Sequence, residues 1–145
     1  MPTRTARTAW NGTLEQGSGQ VELTSSGVGT YTVSFPRRAA DEAGGTTSPE
    51  ELVAAAHSSC FAMQLSAVIA QAGGTPQSLE VGADVSLGPD PAGGFRLTGI
   101  HLVVTGEVEG LDADAFVAAA QEAKATCPVS KALTGVEITL DASLD

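Results

Sequence analysis

Aromatic side chains are scarce in this chain, and so is positive charge. Phe, Trp and Tyr make up 4% of the 145 residues against 42% hydrophobic residues in all, so a core must be built mostly from Val, Leu, Ile and Ala. Seven Lys and Arg stand against 17 Asp and Glu, a formal net charge of −10. Nucleic acid and anionic membrane surfaces would repel such a protein, so neither is expected as a partner. No run approaches the roughly 18–20 apolar residues that span a bilayer. The opening "MPTRTARTAW" has arginines but no apolar stretch behind them, unlike a secretory signal. A cytoplasmic location is the expectation. Cysteine is rare too: Cys60 and Cys127 are the only two, with no C-x-x-C and no His/Cys tetrad, which gives a zinc site little support. In a reducing compartment such cysteines are more often chemical than structural.

What is present fits one domain, residues 1–145, long enough to bury about 68–70% of its unfolded surface without staples. The first third reads as a β meander: "TARTAW", "GQVEL" and "GTYTVSF" are short, glycine-punctuated runs. Residues 36–47, "PRRAADEAGGTT", have the composition of a loop. A long helix follows. Ser48 suits its N-cap, Pro49 its first position, and Glu51 completes an S-x-x-E capping box, while Gly73 and Gly74 end it. Its apolar residues fill two stripes, Leu52, Ala56, Cys60, Met63 and Ala67 on one and Val53, Phe61, Leu65 and Val68 on the other, as in a helix buried on more than one side. "SLEVGADVSL" and "GFRLTGIHLVVTGEV" pair as a hairpin through "GPDPAGG". A second helix begins at Asp112, a third, short one at Pro128, and "GVEITLDASL" closes the sheet. The order is βββ-α-ββ-αα-β, an α+β arrangement of antiparallel sheet with a long buried central helix. That helix is more hydrophobic than one sheet face requires, so a homodimer covering both its sides is expected.

The two cysteines differ in how they could ionise. Cys127 stands directly before Pro128, at the N-cap of the short helix, where unpaired N–H groups and the dipole favour an anion. Cys60 lies about three turns inside its helix and needs a cation brought by tertiary structure. Arg37 and Arg38, in the loop before that helix, are candidates, and Glu50 on its first turn could hold a guanidinium in place. Thiolate, guanidinium and carboxylate together suit attack on a peroxide O–O bond, with the resulting sulfenic acid condensing with a second thiol. Each residue also has a plainer role. Cys60 and Cys127 could be small packing residues, Arg37 and Arg38 a solvated pair, and Glu50 a dipole partner. His57, one turn before Cys60, reads as a hydrogen-bonded structural histidine in preference to a Cys–His dyad, and His101 as structural within a strand.

"TSPEELVAAAHSSCFAMQLS" resembles the signature of the OsmC/Ohr family of thiol-dependent peroxidases, and "ATCPVSKALTGVEITLDASL" its second cysteine segment; "ADVSLG" and "AWNG" also fit. His57 and "CPVSKAL" are more similar to the OsmC branch than to the Ohr branch. The resemblance implies that Cys60 is the peroxidatic cysteine, Cys127 the resolving one and Glu50 the carboxylate that holds the catalytic arginine. With one inserted residue allowed, Arg38 fits that place better than Arg37. It further implies an intertwined homodimer with active sites at the subunit interface. An organic hydroperoxide would be the substrate, in oxidative or osmotic stress defence. No metal or bound cofactor is implied, but turnover requires an external dithiol, a lipoyl type serving in the Ohr branch. The competing expectations are a non-enzymatic stress protein that binds a small apolar ligand, and a redox sensor that forms the same disulfide.

Overall fold

Local signals set most element boundaries. The computed structural model describes residues 1–145 and divides into two compact units, Met1–Leu52 and Val53–Asp145. In the first unit, strands β1 (Arg7–Asn11), β2 (Ser18–Glu22) and β3 (Thr30–Val33) form an antiparallel sheet in the order β1-β2-β3. The stretch expected to be all loop then begins as a helical turn, α1 (Phe35–Arg38). Ser34 caps it by accepting the Arg37 N–H at 3.4 Å, and the fixed φ of Pro36 suits its start. That turn ends at Arg38.

Helix α2 (Pro49–Gln71) begins where its caps predict. Ser48 Oγ accepts the Glu51 N–H at 3.1 Å, but the reciprocal half of the capping box is absent: the Glu51 carboxylate takes the Thr47 hydroxyl instead. The helix ends at Gly73, whose φ of 90° belongs to glycine, with the Gly74 N–H returning to the Ile69 carbonyl at 3.0 Å. Against the reading of the sequence, Pro49–Gln71 is long and apolar enough, by length and composition, to cross a membrane. Burial is confined to one stripe. His57, Phe61, Leu65, Val68 and Ile69 are covered, whereas Ala56, Met63 and Ala67 are exposed, Met63 at 74%.

The core of the second unit is a sheet carrying helices on one face. Strands β4 (Thr75–Pro89) and β5 (Phe95–Glu109) make the expected long hairpin, and β6 (Ile138–Leu144) adds beside β5. The last strand departs from the antiparallel expectation, since β6 runs parallel to β5. Helices α3 (Ala113–Thr126) and α4 (Pro128–Ala132) form the crossover that a parallel pairing requires. Asp112 caps α3 by accepting the Ala115 N–H at 2.8 Å. Ile100, Leu102 and Val104 alternate inward from β5 and meet Phe61, Leu65 and Ile69 of α2 and Phe116 of α3. Each large side chain so buried stabilises by roughly 1.5–3 kcal/mol. Gly106 continues the inward alternation because a Cβ there would stand 2.7 Å from the Phe116 ring. The two cysteines ride on this packed unit.

Candidate active site

Cys60 and Cys127 are brought together although 67 positions separate them. Their sulfurs lie 3.3 Å apart, both thiols free. The approach is fixed by packing on each side. Cys60 follows His57 and precedes Phe61, both fully buried, on the covered stripe of α2. Cys127 closes α3 and opens α4, with its own N–H bonded to the Ala123 carbonyl at 2.8 Å. One turn beyond Cys60, Gln64 Nε2 donates to Thr126 Oγ1 at 2.9 Å and ties α2 to the residue just before Cys127. Cys127 is fully buried, while Cys60 is half-buried.

Their acidities diverge. Burial pushes the Cys127 thiol up, but the Ser130 N–H, the Cys60 thiol, the Ser130 hydroxyl and the Val129 N–H favour its thiolate and leave it lowered on balance. The thiol itself makes no formed cap hydrogen bond; the gain belongs to the anion. Burial pushes Cys60 up, the Val129 N–H opposes that, and the neighbouring Cys127 adds to the rise. The two directions differ because Cys127 stands where a helix begins and N–H groups favour an anion. Cys60, mid-helix, has the Val129 N–H as its one favourable contact.

Of the two arginines, Arg38 is the one paired with Glu50 in the first unit. Arg38 Nε donates to Glu50 Oε1 at 2.9 Å and Oε2 at 3.2 Å, and Nη2 lies 2.8 Å from Oε1. Glu50 is buried, with 8% of its surface exposed, and both its carboxylate oxygens accept from this one guanidinium. Arg37 instead lays its guanidinium beside Gly44. An apolar cavity of about 400 Å³ in the same unit is lined by Trp10, Leu14, Val33, Phe35, Leu52 and Arg38. The cation therefore sits at the edge of an apolar pocket, oriented by a buried acid.

The histidines take separate roles. His57 Nε2 lies 2.7 Å from Ser130 Oγ, both residues buried, and burial lowers the His57 pKa. Ser130 escaped the sequence reading: nothing local links it to a histidine 73 positions away. The available signal was its place three residues after an N-cap cysteine. His101 is on β5, with Nδ1 2.6 Å from Thr139 Oγ1 and Nε2 3.1 Å from Asp141 Oδ2. No group of three His, Cys, Asp or Glu side chains is placed to hold a metal ion.

The same arrangement of elements recurs in known proteins. The family model of OsmC-like proteins matches residues 42–141. Peroxiredoxin OsmC of Escherichia coli (strain K12) is 44% identical over 135 residues, 93% of this chain and 92% of that protein. Organic hydroperoxide resistance protein-like 2 of Staphylococcus epidermidis is 32% identical over 108 residues, covering 73% and 74% of the two chains. Among solved structures, the organic hydroperoxide resistance protein OhrB of Bacillus subtilis superposes with a TM-score of 0.76 at 30% identity, over 96% of this chain and 98% of that one. With both cysteine segments carried on that shared fold, the chain belongs to the OsmC family of the OsmC/Ohr proteins.

Proposed function

We propose that this protein is a two-cysteine, thiol-dependent peroxidase that reduces organic hydroperoxides to alcohols, and hydrogen peroxide less well, in oxidative or osmotic stress defence. The observation that carries the reading is the 3.3 Å between the sulfurs of Cys60 and Cys127. A disulfide needs about 2.05 Å, so joining them takes a movement of little more than an ångström. The names of the relatives, a peroxiredoxin and organic hydroperoxide resistance proteins, support the same class.

In this reading the Cys60 thiolate attacks the terminal oxygen of the hydroperoxide. The O–O bond breaks, the alkoxide takes a proton and leaves as alcohol, and Cys60 becomes a sulfenic acid. Arg38, oriented by Glu50, is the cation this reading assigns to steady the departing alkoxide. Cys127 then attacks the sulfenic sulfur; S–S forms, S–O breaks and water leaves. An external dithiol, of which a lipoyl group is the candidate class, returns both cysteines to thiols, and no metal or bound organic cofactor enters the cycle. The cavity of about 400 Å³ beside Arg38 supports an organic substrate, because its walls are apolar.

The working form in this reading is a homodimer. The exposed face of α2 around Met63, and the exposed Trp10, Leu14 and Tyr31 of the first unit, are surfaces a second copy would cover. The test is peroxide consumption under excess dithiol, cumene hydroperoxide against hydrogen peroxide, for wild type and Cys60→Ser. Sustained Cys60-dependent loss, faster with the organic substrate, is the expected result. No loss from reduced, folded wild type would sink the proposal and bring the ligand-binding alternative forward.

A further inference from the structure

The buried contact between His57 and Ser130 has no part in the cycle above, yet it ends beside the resolving cysteine. Both residues are buried, His57 completely and Ser130 to all but 6%, and Nε2 and Oγ are 2.7 Å apart. The other ring nitrogen, Nδ1, is buried with no hydrogen-bond partner. A proton on Nδ1 would be a buried, orphaned N–H, which folded proteins avoid more strictly than an under-used acceptor. The proton therefore belongs on Nε2. Burial keeps the ring neutral, so one nitrogen donates and the other does not. With Nε2–H donating, Ser130 Oγ accepts and its own hydrogen is free for another acceptor. Ser130 is the third residue of α4, and Cys127 is the N-cap of that helix.

We infer that His57 and Ser130 are positioning residues for the resolving cysteine: His57 Nε2–H donates to Ser130 Oγ, which aims the Ser130 hydroxyl at the Cys127 sulfur. The Ser130 hydroxyl and N–H are among the groups that favour the Cys127 thiolate over its thiol. The titratable group facing Cys127 is Cys60 of α2. Cys127 belongs to the buried apolar core, and on α3 its own N–H is bonded to the Ala123 carbonyl at 2.8 Å. The charged groups nearest in sequence are Lys124 in the last turn of α3 and the exposed Lys131 of α4. The inference rests on the proposed cycle only for its purpose. There, Cys127 attacks as a thiolate, S–S forms and S–O breaks. The hydroxide released takes up the proton Cys127 had given to solvent, so sulfenic acid plus thiol gives disulfide plus water. His57 and Ser130 keep their protons throughout.

The test uses no peroxide. In a Cys60→Ser background Cys127 is the only thiol, and its thiolate is followed by ultraviolet absorbance across pH. Adding Ser130→Ala or His57→Leu should move the midpoint to higher pH. His57→Gln, whose amide N–H can stand in for Nε2–H, should restore most of the wild-type midpoint, which a merely space-filling role would not do. Nitrogen NMR of the wild-type ring should show the neutral Nε2–H tautomer. Coincident midpoints across the series, or a proton on Nδ1, would overturn the inference. Ser130→Ala removes a single oxygen and stands as the test if His57→Leu fails to fold. In the Cys60-containing protein, Ser130→Ala should slow disulfide formation after one equivalent of hydroperoxide by roughly tenfold, the worth of one hydrogen bond to a charged acceptor. Failure of the peroxidase reading itself would appear instead as no peroxide loss from reduced, folded wild type under excess dithiol, whatever the absorbance shows.

Discussion

The two compact units are built on different terms. Val53–Asp145 holds a continuous interior in which Phe61, Leu65, Ile69, Leu102, Val104 and Phe116 are completely buried. Met1–Leu52 buries one large apolar side chain, Val21, and leaves Trp10 and Tyr31 at 42% and Val28 at 71% exposure. One unit supplies its own hydrophobic stabilisation; the other is held by strand pairing and a part-buried ion pair, and keeps its aromatics at the surface. The sulfur pair lies in the first kind of environment and the guanidinium in the second. A nucleophile pair must be held to within an ångström, which a packed core provides. The cation needs orientation more than rigidity, and the Glu50 carboxylate provides that.

The largest effect should come from the packed unit. Cys60→Ser should abolish sustained peroxide consumption. Cys127→Ser should leave a single oxidation that proceeds to overoxidised Cys60, read by intact mass. If the second variant turned over as well as wild type, the pairing of the two sulfurs would have no chemical role. Next comes the sparse unit. Arg38→Ala should lower the rate of Cys60 oxidation by about 10²–10³, the usual loss on removing one electrostatic stabiliser, whereas Arg37→Ala should stay near wild type. Equal losses would mean that the ion pair with Glu50 does not select the working arginine.

Stability should divide the same way. Phe116→Ala should cost about 3–5 kcal/mol in urea unfolding, a transfer loss plus the cavity it leaves. Trp10→Ala should act chiefly on assembly, shifting a dimer toward monomer in sedimentation; a variant that stays dimeric with wild-type stability would break the comparison. The smallest effect is a pH slope. The folded pKa of His57 is depressed by burial below its ordinary value of 6.5. Above that value neither state carries the charge and the full stability is present. As the pH falls from 6.5 toward the lowered folded value, the unfolded chain takes up a proton that the folded one refuses, and stability is lost. The slope attributable to this group is at most about 1.4 kcal/mol per pH unit, and His57→Gln should remove it.

Short-range chemistry was legible in the sequence. Ser48 and Asp112 marked helix starts, Gly73 a helix end, and the turn around "GPDPAGG" a hairpin, because each acts within a few residues of backbone. The place of Cys127 at the opening of α4 was likewise set by Pro128 beside it. Resemblance carried the assignment of roles further than periodicity could. What the sequence left open were relations across long loops. Resemblance favoured Arg38 over Arg37, but no local signal showed that α1 turns Arg38 onto Glu50. The direction of β6 depends on a crossover made by α3 and α4, and no pattern of alternating residues encodes it.

The sequence by itself thus determined all the elements but α1, their order and the two cysteine-bearing helices, since caps, turns and hydrophobic period are local properties of the chain. Only the tertiary structure decided that one stripe of α2 is covered and the other is not, that the sulfurs of Cys60 and Cys127 stand 3.3 Å apart, and that His57 reaches Ser130. Those distances are set by how side chains from α2, α3 and the sheet fill one interior, and close packing is a property of all of them at once.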